Sequence, residues 1–123
     1  MSEVQYPRDI KSSIKKMLGL SSDYNAFDSD IVMLINSAIM ELSQLGVCSP
    51  DFQIVDGTET WDDLLGNYIQ NGLLNGAMTY IYIKVRLIFD PPTSGYVTSA
   101  FQKELDELTW RLRVRVDGGS EEN

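Results

Sequence analysis

Apolar residues recur along this chain at the three- and four-residue spacing that is typical of one face of an α-helix. Three segments show the pattern clearly, one near the N-terminus, one in the first half of the chain and one close to the C-terminus. Their apolar positions are Ile10, Ile14, Met17 and Leu18; Ile31, Leu34, Ile35, Ala38, Ile39, Leu42 and Leu45; and Val97, Phe101, Leu105, Leu108 and Leu112. Asp28 or Ser29 is placed to cap the start of the second segment. We therefore predict three amphipathic helices at these places.

A mixed pattern covers the segment between the second and the last of these helices. Thr60 and Asp63 have the spacing of a capping box, with Asp in place of the usual Glu or Gln, and they predict the start of a third helix. The Gly66-Asn67 pair is expected to break or bend this helix. The run from Tyr68 to Phe89 then allows two interpretations. Because it is rich in β-forming residues yet continues a helical pattern, it is either a buried strand or a helix.

The end of the chain alternates charged and apolar residues from Arg113 to Val116, which is typical of a strand. A lone strand is not stable, so its partner would be the short candidate strand Phe52 to Val55 of the same chain, or another subunit. After Val116 the sequence becomes acidic and carries two glycines. We expect one helical domain over residues 1–116 and a disordered acidic tail over residues 117–123.

Length and composition are those of one globular domain. The chain has 123 residues, of which 43% are apolar, and a net charge of −8. The acidic balance argues against a dedicated nucleic-acid-binding surface, which requires clustered Lys and Arg. Residues 1–19 carry charges throughout, unlike a signal peptide, and the most apolar run, Met78 to Phe89, is too short and too charged to span a membrane. We therefore expect a soluble protein made in the cytoplasm, without a membrane partner.

Catalytic and metal-binding patterns are missing from the sequence. The chain has no His and a single Cys, Cys48, which excludes Ser-His-Asp and Cys-His arrangements, a disulfide within the chain and a Cys-rich zinc site. The carboxylate pairs Asp62-Asp63 and Glu104-Glu107 are expected on solvated helix faces or at helix caps. A calcium-loop pattern that starts at Asp23 lacks the required Gly and the bidentate Glu. We therefore predict no catalytic, cofactor-binding or metal-binding residue.

Seven residues are candidates for contacts with another protein. Gly72 and Gly76 are four positions apart and would share one face of the third helix, leaving a notch for a close approach. The approaching element is either a neighbouring helix of the same chain or another subunit. The other candidates are Tyr96, Trp110, Arg111, Arg113 and Arg115. Trp, Tyr and Arg are enriched at protein interfaces, although cations near a helix end also complement its dipole.

The residues that separate the last two predicted helices are Asp90, Pro91 and Pro92. A residue before a proline is pushed out of the α region, so neither of the first two can readily be helical. The preceding helix must therefore end near Phe89, and the next one is expected to begin with Thr93 or Ser94 as its cap. This structural corner would fix the angle at which the last helix leaves the body of the protein.

Four stretches, taken in order, carry a resemblance to a known family. They are "ELSQLGV", "FQIVDGTETWDDLLG", "TYIYIKVRLIFDPPTSG" and the ending of the last helix, "ELTWRLRV". The part most specific to that family is the two prolines together with Lys84 and Arg86 before them and Trp110-Arg111-Leu112 after them. Over residues 8–116 the sequence resembles the head–tail connector (adaptor) proteins of long-tailed bacteriophages.

The resemblance implies an all-α fold with about four helices in one small domain, in which residues 68–89 are helical. It also implies a structural virion protein with no enzymatic activity and no cofactor. Such proteins form a ring, commonly of twelve subunits in the assembled particle, that docks on the portal protein and links the DNA-filled head to the head-completion protein or the tail. DNA passes through without specific binding, and the region from Tyr96 to Val116 engages the portal. The expected location is the head–tail interface of the virion, with assembly in the host cytoplasm.

Two other functions agree with the residues alone. One is a small helical regulatory domain that binds a protein or peptide in a groove. The other is a hydrolase that uses two carboxylates, which would need a concave pocket that holds both groups with displaced pKa values.

Overall fold

The structure, a computed structural model, describes the backbone of residues 8–121 and the side chains of these residues other than 67, 70, 71 and 118–121. The described part is an all-α domain with almost no strand, as predicted. Its α-helices are α1 (Ile10–Met17), α2 (Asp28–Gln44), α3 (Trp61–Leu65), α4 (Leu74–Phe89) and α5 (Gly95–Glu121). A 3₁₀ helix, Gly66–Asn71, lies between α3 and α4.

The predicted third helix is divided into three pieces. It begins at the predicted capping box, in which the Thr60 hydroxyl accepts from the Asp63 amide and the Asp63 carboxylate accepts from the Thr60 amide. Gly66 then has a positive φ of 56°, a conformation that favours glycine, and the backbone tightens into the 3₁₀ helix. The helical interpretation of residues 68–89 is confirmed for α4, whereas residues 68–71 are 3₁₀.

The prediction of two short strands, one at residues 113–116 and one at residues 52–55, is wrong. Residues 113–116 continue α5, because Val116 lies four positions beyond Leu112 and both are buried, so packing overrides the local alternation. Residues 52–55 are irregular, and the Asn36 side chain holds them by bonding the Ile54 amide at 2.7 Å and its carbonyl at 3.0 Å. The one β-bridge among the described residues joins Asp9 to Thr60.

The predicted acidic tail is described only in part. The backbone of residues 117–121 continues α5, and residues 122 and 123 lie outside the described residues. The division of the chain after residue 116 therefore stays a prediction.

Helix α4 lies between α2 and α5 and runs antiparallel to both. The Phe27 ring, at the start of α2, contacts the Phe89 ring at the end of α4, with centroids 5.3 Å apart. Near the opposite end of these helices, the Tyr80 hydroxyl donates to Glu41 of α2 at 3.0 Å. The buried stripe of α5 consists of Leu105, Leu108, Leu112 and Val116. Leu108 and Leu112 pack against Gly76 of α4, whereas Val116 lies next to Gly46, just after α2. None of the described helices combines the length and the apolar character that crossing a membrane requires.

Candidate functional site

A corner between α4 and α5 sets the direction of the last helix. Asp90 caps the end of α4 with non-helical backbone angles, φ −149° and ψ 69°. Pro91 and Pro92 follow, and neither can continue the helix. The next helix begins at Gly95, where the Ser94 hydroxyl accepts from the Val97 amide at 3.4 Å. The two helices are thus joined by a short segment with little conformational freedom.

Arg86 ties this corner together. Its Nε donates to the Asp90 carbonyl at 2.8 Å, and its Nη1 donates to the Tyr82 hydroxyl at 2.9 Å. The guanidinium also lies 5.9 Å from the centre of the Phe101 ring on α5, close enough for a cation–π contact. One side chain therefore links the last turn of α4, the corner and the first turns of α5. This role of Arg86 was not predicted from the sequence, although Arg86 stands four residues before Asp90, a spacing at which opposite charges on a helix meet.

The two candidate glycines do not share a helix face. Gly72 ends the 3₁₀ helix with a left-handed φ of 79°, and only Gly76 lies within α4. A Cβ at Gly76 would lie 3.0 Å from Cδ2 of Leu112, and one at Gly72 would lie 2.8 Å from Nη2 of Arg115. Both glycines therefore face α5 of the same chain, and this close approach is intramolecular. A contact of these glycines with another subunit stays a prediction.

Enlargement of Gly76 should push α5 away from α4. We expect Gly76→Leu to lower the free energy of unfolding by about 1–2 kcal/mol, because overpacking costs about 1–3 kcal/mol and the removal of a helical Gly returns up to about 1 kcal/mol. Denaturant unfolding followed by circular dichroism measures the change. Asn75→Leu, at the exposed neighbouring position, is the matched control. Equal stability of the two variants would contradict the close approach.

The remaining candidates lie on α5 and are mostly exposed. Tyr96 is 85% exposed and Trp110 is 65% exposed. They are fourteen positions apart, and a helix returns to nearly the same direction after that interval, so both side chains point away from the buried stripe. Arg111 and Arg113 are also exposed, and Arg111 makes only a long 3.8 Å ion pair with Glu107. The structure thus places Tyr96 at one end of the exposed side of α5, and Trp110 with Arg111 and Arg113 at the other.

Three of the four acidic groups considered as catalytic candidates have structural contacts. Asp62 is paired with Arg8, Asp63 completes the capping box, and Glu107 pairs with Arg111. Within residues 8–121, as far as their side chains are described, no group of three or more His, Cys, Asp or Glu side chains could hold a metal ion. These contacts give no support to the hydrolase alternative.

Two titratable groups of the core remain protonated at neutral pH. Burial raises the pKa of the Cys48 thiol to about 11, so Cys48 is not a thiolate nucleophile. Burial, and then the hydrogen bond to Glu41, raise the pKa of Tyr80 to about 12. Neither group is poised for acid–base chemistry near pH 7.

A buried ion pair is the other feature that the sequence analysis missed. Lys15 is fully buried, and its Nζ lies 2.8 Å from Oδ1 of Asp28. It also donates to the carbonyls of Tyr24, at 2.8 Å, and Ser22, at 3.3 Å. Hydrogen bonds from Lys15 and then Lys11 hold the pKa of the Asp28 carboxyl below its usual range. Asp28 therefore anchors the loop before α2. The N-cap of α2 is Phe27, so the prediction of Asp28 or Ser29 as the cap is wrong.

Together, these features define a small all-α protein whose long last helix leaves a fixed corner and exposes aromatic and cationic side chains. The chain belongs to the phage connector protein family, whose family model matches residues 10–119. No curated protein and no solved structure matches it at a significant level. Phage connectors are structural components of the virion that contact portal and tail proteins, and the family assigns this structural role to the chain.

Proposed function

We propose that this protein is the ring-forming head–tail connector of a long-tailed phage. Copies of the chain dock on the portal protein and together link the DNA-filled head to the head-completion protein or the tail. The observation that carries the proposal is the family match over residues 10–119, which includes the corner and nearly all of α5. The ring, commonly of twelve subunits in related particles, belongs to this proposal.

The corner and the exposed face of α5 support docking through the last helix. Binding costs less free energy when the binding element is already held in its bound orientation. Arg86 and the two prolines hold α5 in this way before any partner arrives. Tyr96 lies in the first turn of α5 beside the corner and is exposed, and Tyr is a residue type that often dominates binding energy at interfaces. We therefore assign the portal-docking role to the Tyr96 end of this face.

The charge of the chain supports the passage of DNA without specific binding. A protein grips DNA mainly by neutralising phosphates with Lys and Arg and releasing counterions. This chain has 10 Lys and Arg against 18 Asp and Glu. A ring of such subunits would bind the passing duplex weakly, so the DNA can slide through the channel.

The test is to mix the purified chain with the portal protein of the same phage and to image the product by electron microscopy. We expect a ring of the chain seated on the portal ring. Tyr96→Ala should weaken this association at least tenfold without a change in melting temperature, whereas Val55→Ala, an exposed apolar residue between α2 and α3, should not. Failure of the wild-type chain to associate with the portal under any condition would favour the alternative of a peptide-binding regulatory domain.

A further inference from the structure

Charge is strongly segregated along the chain. No Lys or Arg occurs between Lys16 and Lys84, and nine acidic residues lie in that stretch. By contrast, Arg111, Arg113 and Arg115 fall within one and a half turns of α5, and no acidic residue lies among them. The protein therefore has an acidic part that contains all of α2 and a basic segment at the Trp110 end of α5.

The outer face of α2 is an uncharged stripe. Its members are Met33, Ser37, Met40 and Gln44, which lie on the side of the helix opposite to the buried Ile31, Ile35, Ala38 and Leu42. Both methionines are more exposed than buried. Beside them, Pro50 and Phe52 from the segment after α2 complete a groove of about 380 Å³. Asp30 and Asp51, both exposed, are the nearest charges along the chain before the stripe and beside the groove.

The Trp110 end of α5 has the complementary character. Trp110 and Val114 are four positions apart on the exposed face of the helix, and both are large exposed apolar residues. Arg111 and Arg113 flank them and are exposed. The rise of a helix places Trp110 about 21 Å from Tyr96, so the two ends of this face can serve two different partners at once.

We propose that the α2 groove binds the Trp110 end of α5 from a second copy of this chain. An indole side chain suits the groove in size, and methionine sulfurs make favourable contacts with aromatic rings. The arginines that flank Trp110 would meet Asp30 and Asp51, the exposed acidic residues nearest the groove. Trp110 does not line the groove of its own chain, because Leu108 and Leu112 of α5 pack on Gly76 of α4 and Trp110 is exposed on the opposite face of the helix.

The contact joins two different surfaces, so it is heterologous. A pair of copies joined in this way keeps one free groove and one free Trp110, so further copies can add, and the chain of contacts closes into a ring when the rotation between copies allows it. This inference rests on the proposed function in one respect, since it names the subunit contact of the proposed ring. It adds the two surfaces involved and the direction in which each copy meets the next.

Disulfide trapping tests both the contact and its direction. In a Cys48→Ser background, a chain that carries both Met40→Cys and Val114→Cys should form a ladder of linked dimers, trimers and higher species on mild oxidation at high protein concentration. Each single variant should stay monomeric on a non-reducing gel. A mixture of the two single variants should give linked dimers and nothing larger.

The matched control is Val55→Cys combined with Val114→Cys, which places one thiol on an exposed loop outside the groove. A ladder no stronger than that of the control would overturn the proposal. Dimers from Met40→Cys alone would also overturn it, since they would indicate a symmetric contact between two grooves. As a second readout with the native Cys48, Trp110→Ala should weaken self-association at least tenfold in sedimentation, and unchanged association would count against the contact.

The outcomes separate this inference from the proposed function. If the portal complex forms but the specific ladder is absent, only the assignment of the subunit contact fails. If the ladder forms and the wild-type chain does not associate with the portal, the docking role fails and the contact between copies stands.

Discussion

Replacement of Trp61 by Ala should lower the free energy of unfolding by about 3–5 kcal/mol, which is the usual cost of removing a large aromatic side chain from a core. Trp61 is 3% exposed, and its Nε1 donates to the Ser13 hydroxyl at 2.9 Å. The change leaves a cavity and removes the bond that ties α3 to α1. Chemical denaturation followed by far-ultraviolet circular dichroism measures the loss.

The chain provides its own control, because its second tryptophan, Trp110, is 65% exposed. Trp110→Ala should change the free energy of unfolding by less than about 0.5 kcal/mol, as is usual for surface positions. Similar losses in the two variants would mean that Trp61 does not hold the core together as the structure indicates.

Replacement of Lys15 by Met should cost about 3 kcal/mol of stability. Methionine has a similar length, but it leaves the Asp28 carboxylate and the carbonyls of Ser22 and Tyr24 without the donor that they share. The loop between α1 and α2 should become more mobile and exchange its amide hydrogens faster. Lys103→Met, at an exposed position of α5, is the control and should be nearly neutral.

The same pair gives the stability of the protein a pH dependence. Because Lys15 and Lys11 lower the pKa of folded Asp28 below its unfolded value, the pairing stabilises the fold fully above that unfolded value. Its contribution is lost as the pH falls through the folded pKa, in the acid range below about pH 4. Melting temperatures should therefore drop on acidification in the wild-type chain and drop less in Lys15→Met. Parallel curves for the two chains would exclude this role for Asp28.

The helices were predictable because their apolar faces are regular. The spacing from Ile31 to Leu42 and from Leu105 to Leu112 is visible in the sequence, and these residues form the buried stripes of α2 and α5. Local chemistry also predicted the Thr60 capping box, because a cap depends on only four adjacent residues.

Features that depend on tertiary contacts could not be predicted. The segment Arg113 to Val116 alternates like a strand, and only the position of Val116 against the rest of the domain favours the helix. Gly72 leaves room for the Arg115 side chain of α5, and nothing near Gly72 in the sequence indicates that contact. The sequence around Lys15 likewise resembles that of a surface lysine, and only the contacts of Lys15 with the loop from Ser22 to Asp28 explain its burial.

The candidate surface was predictable in composition but not in arrangement. Trp110 and its neighbouring arginines were recognisable as residue types that are common at interfaces, and they are exposed in the structure. These residues lie on the outer side of α5, whereas Gly76 contacts its inner side. This arrangement could not be predicted, because it depends on the direction of each side chain. The groove beside Met40 is formed by two segments of the chain, and no local pattern in either segment indicates it.

The distribution of basic residues also determines what a protease can report about this protein. Trypsin cleaves after Lys and Arg, so it has no site between Lys16 and Lys84, and residues 17–84 leave a digest as one fragment. That fragment contains all of α2, while the Trp110 end of α5 carries closely spaced cleavage sites. Trypsin can therefore detect protection of the Trp110 end of α5 but not of the α2 groove. Slower cleavage after Arg111 and Arg113 in an assembled sample would indicate that the Trp110 end is covered.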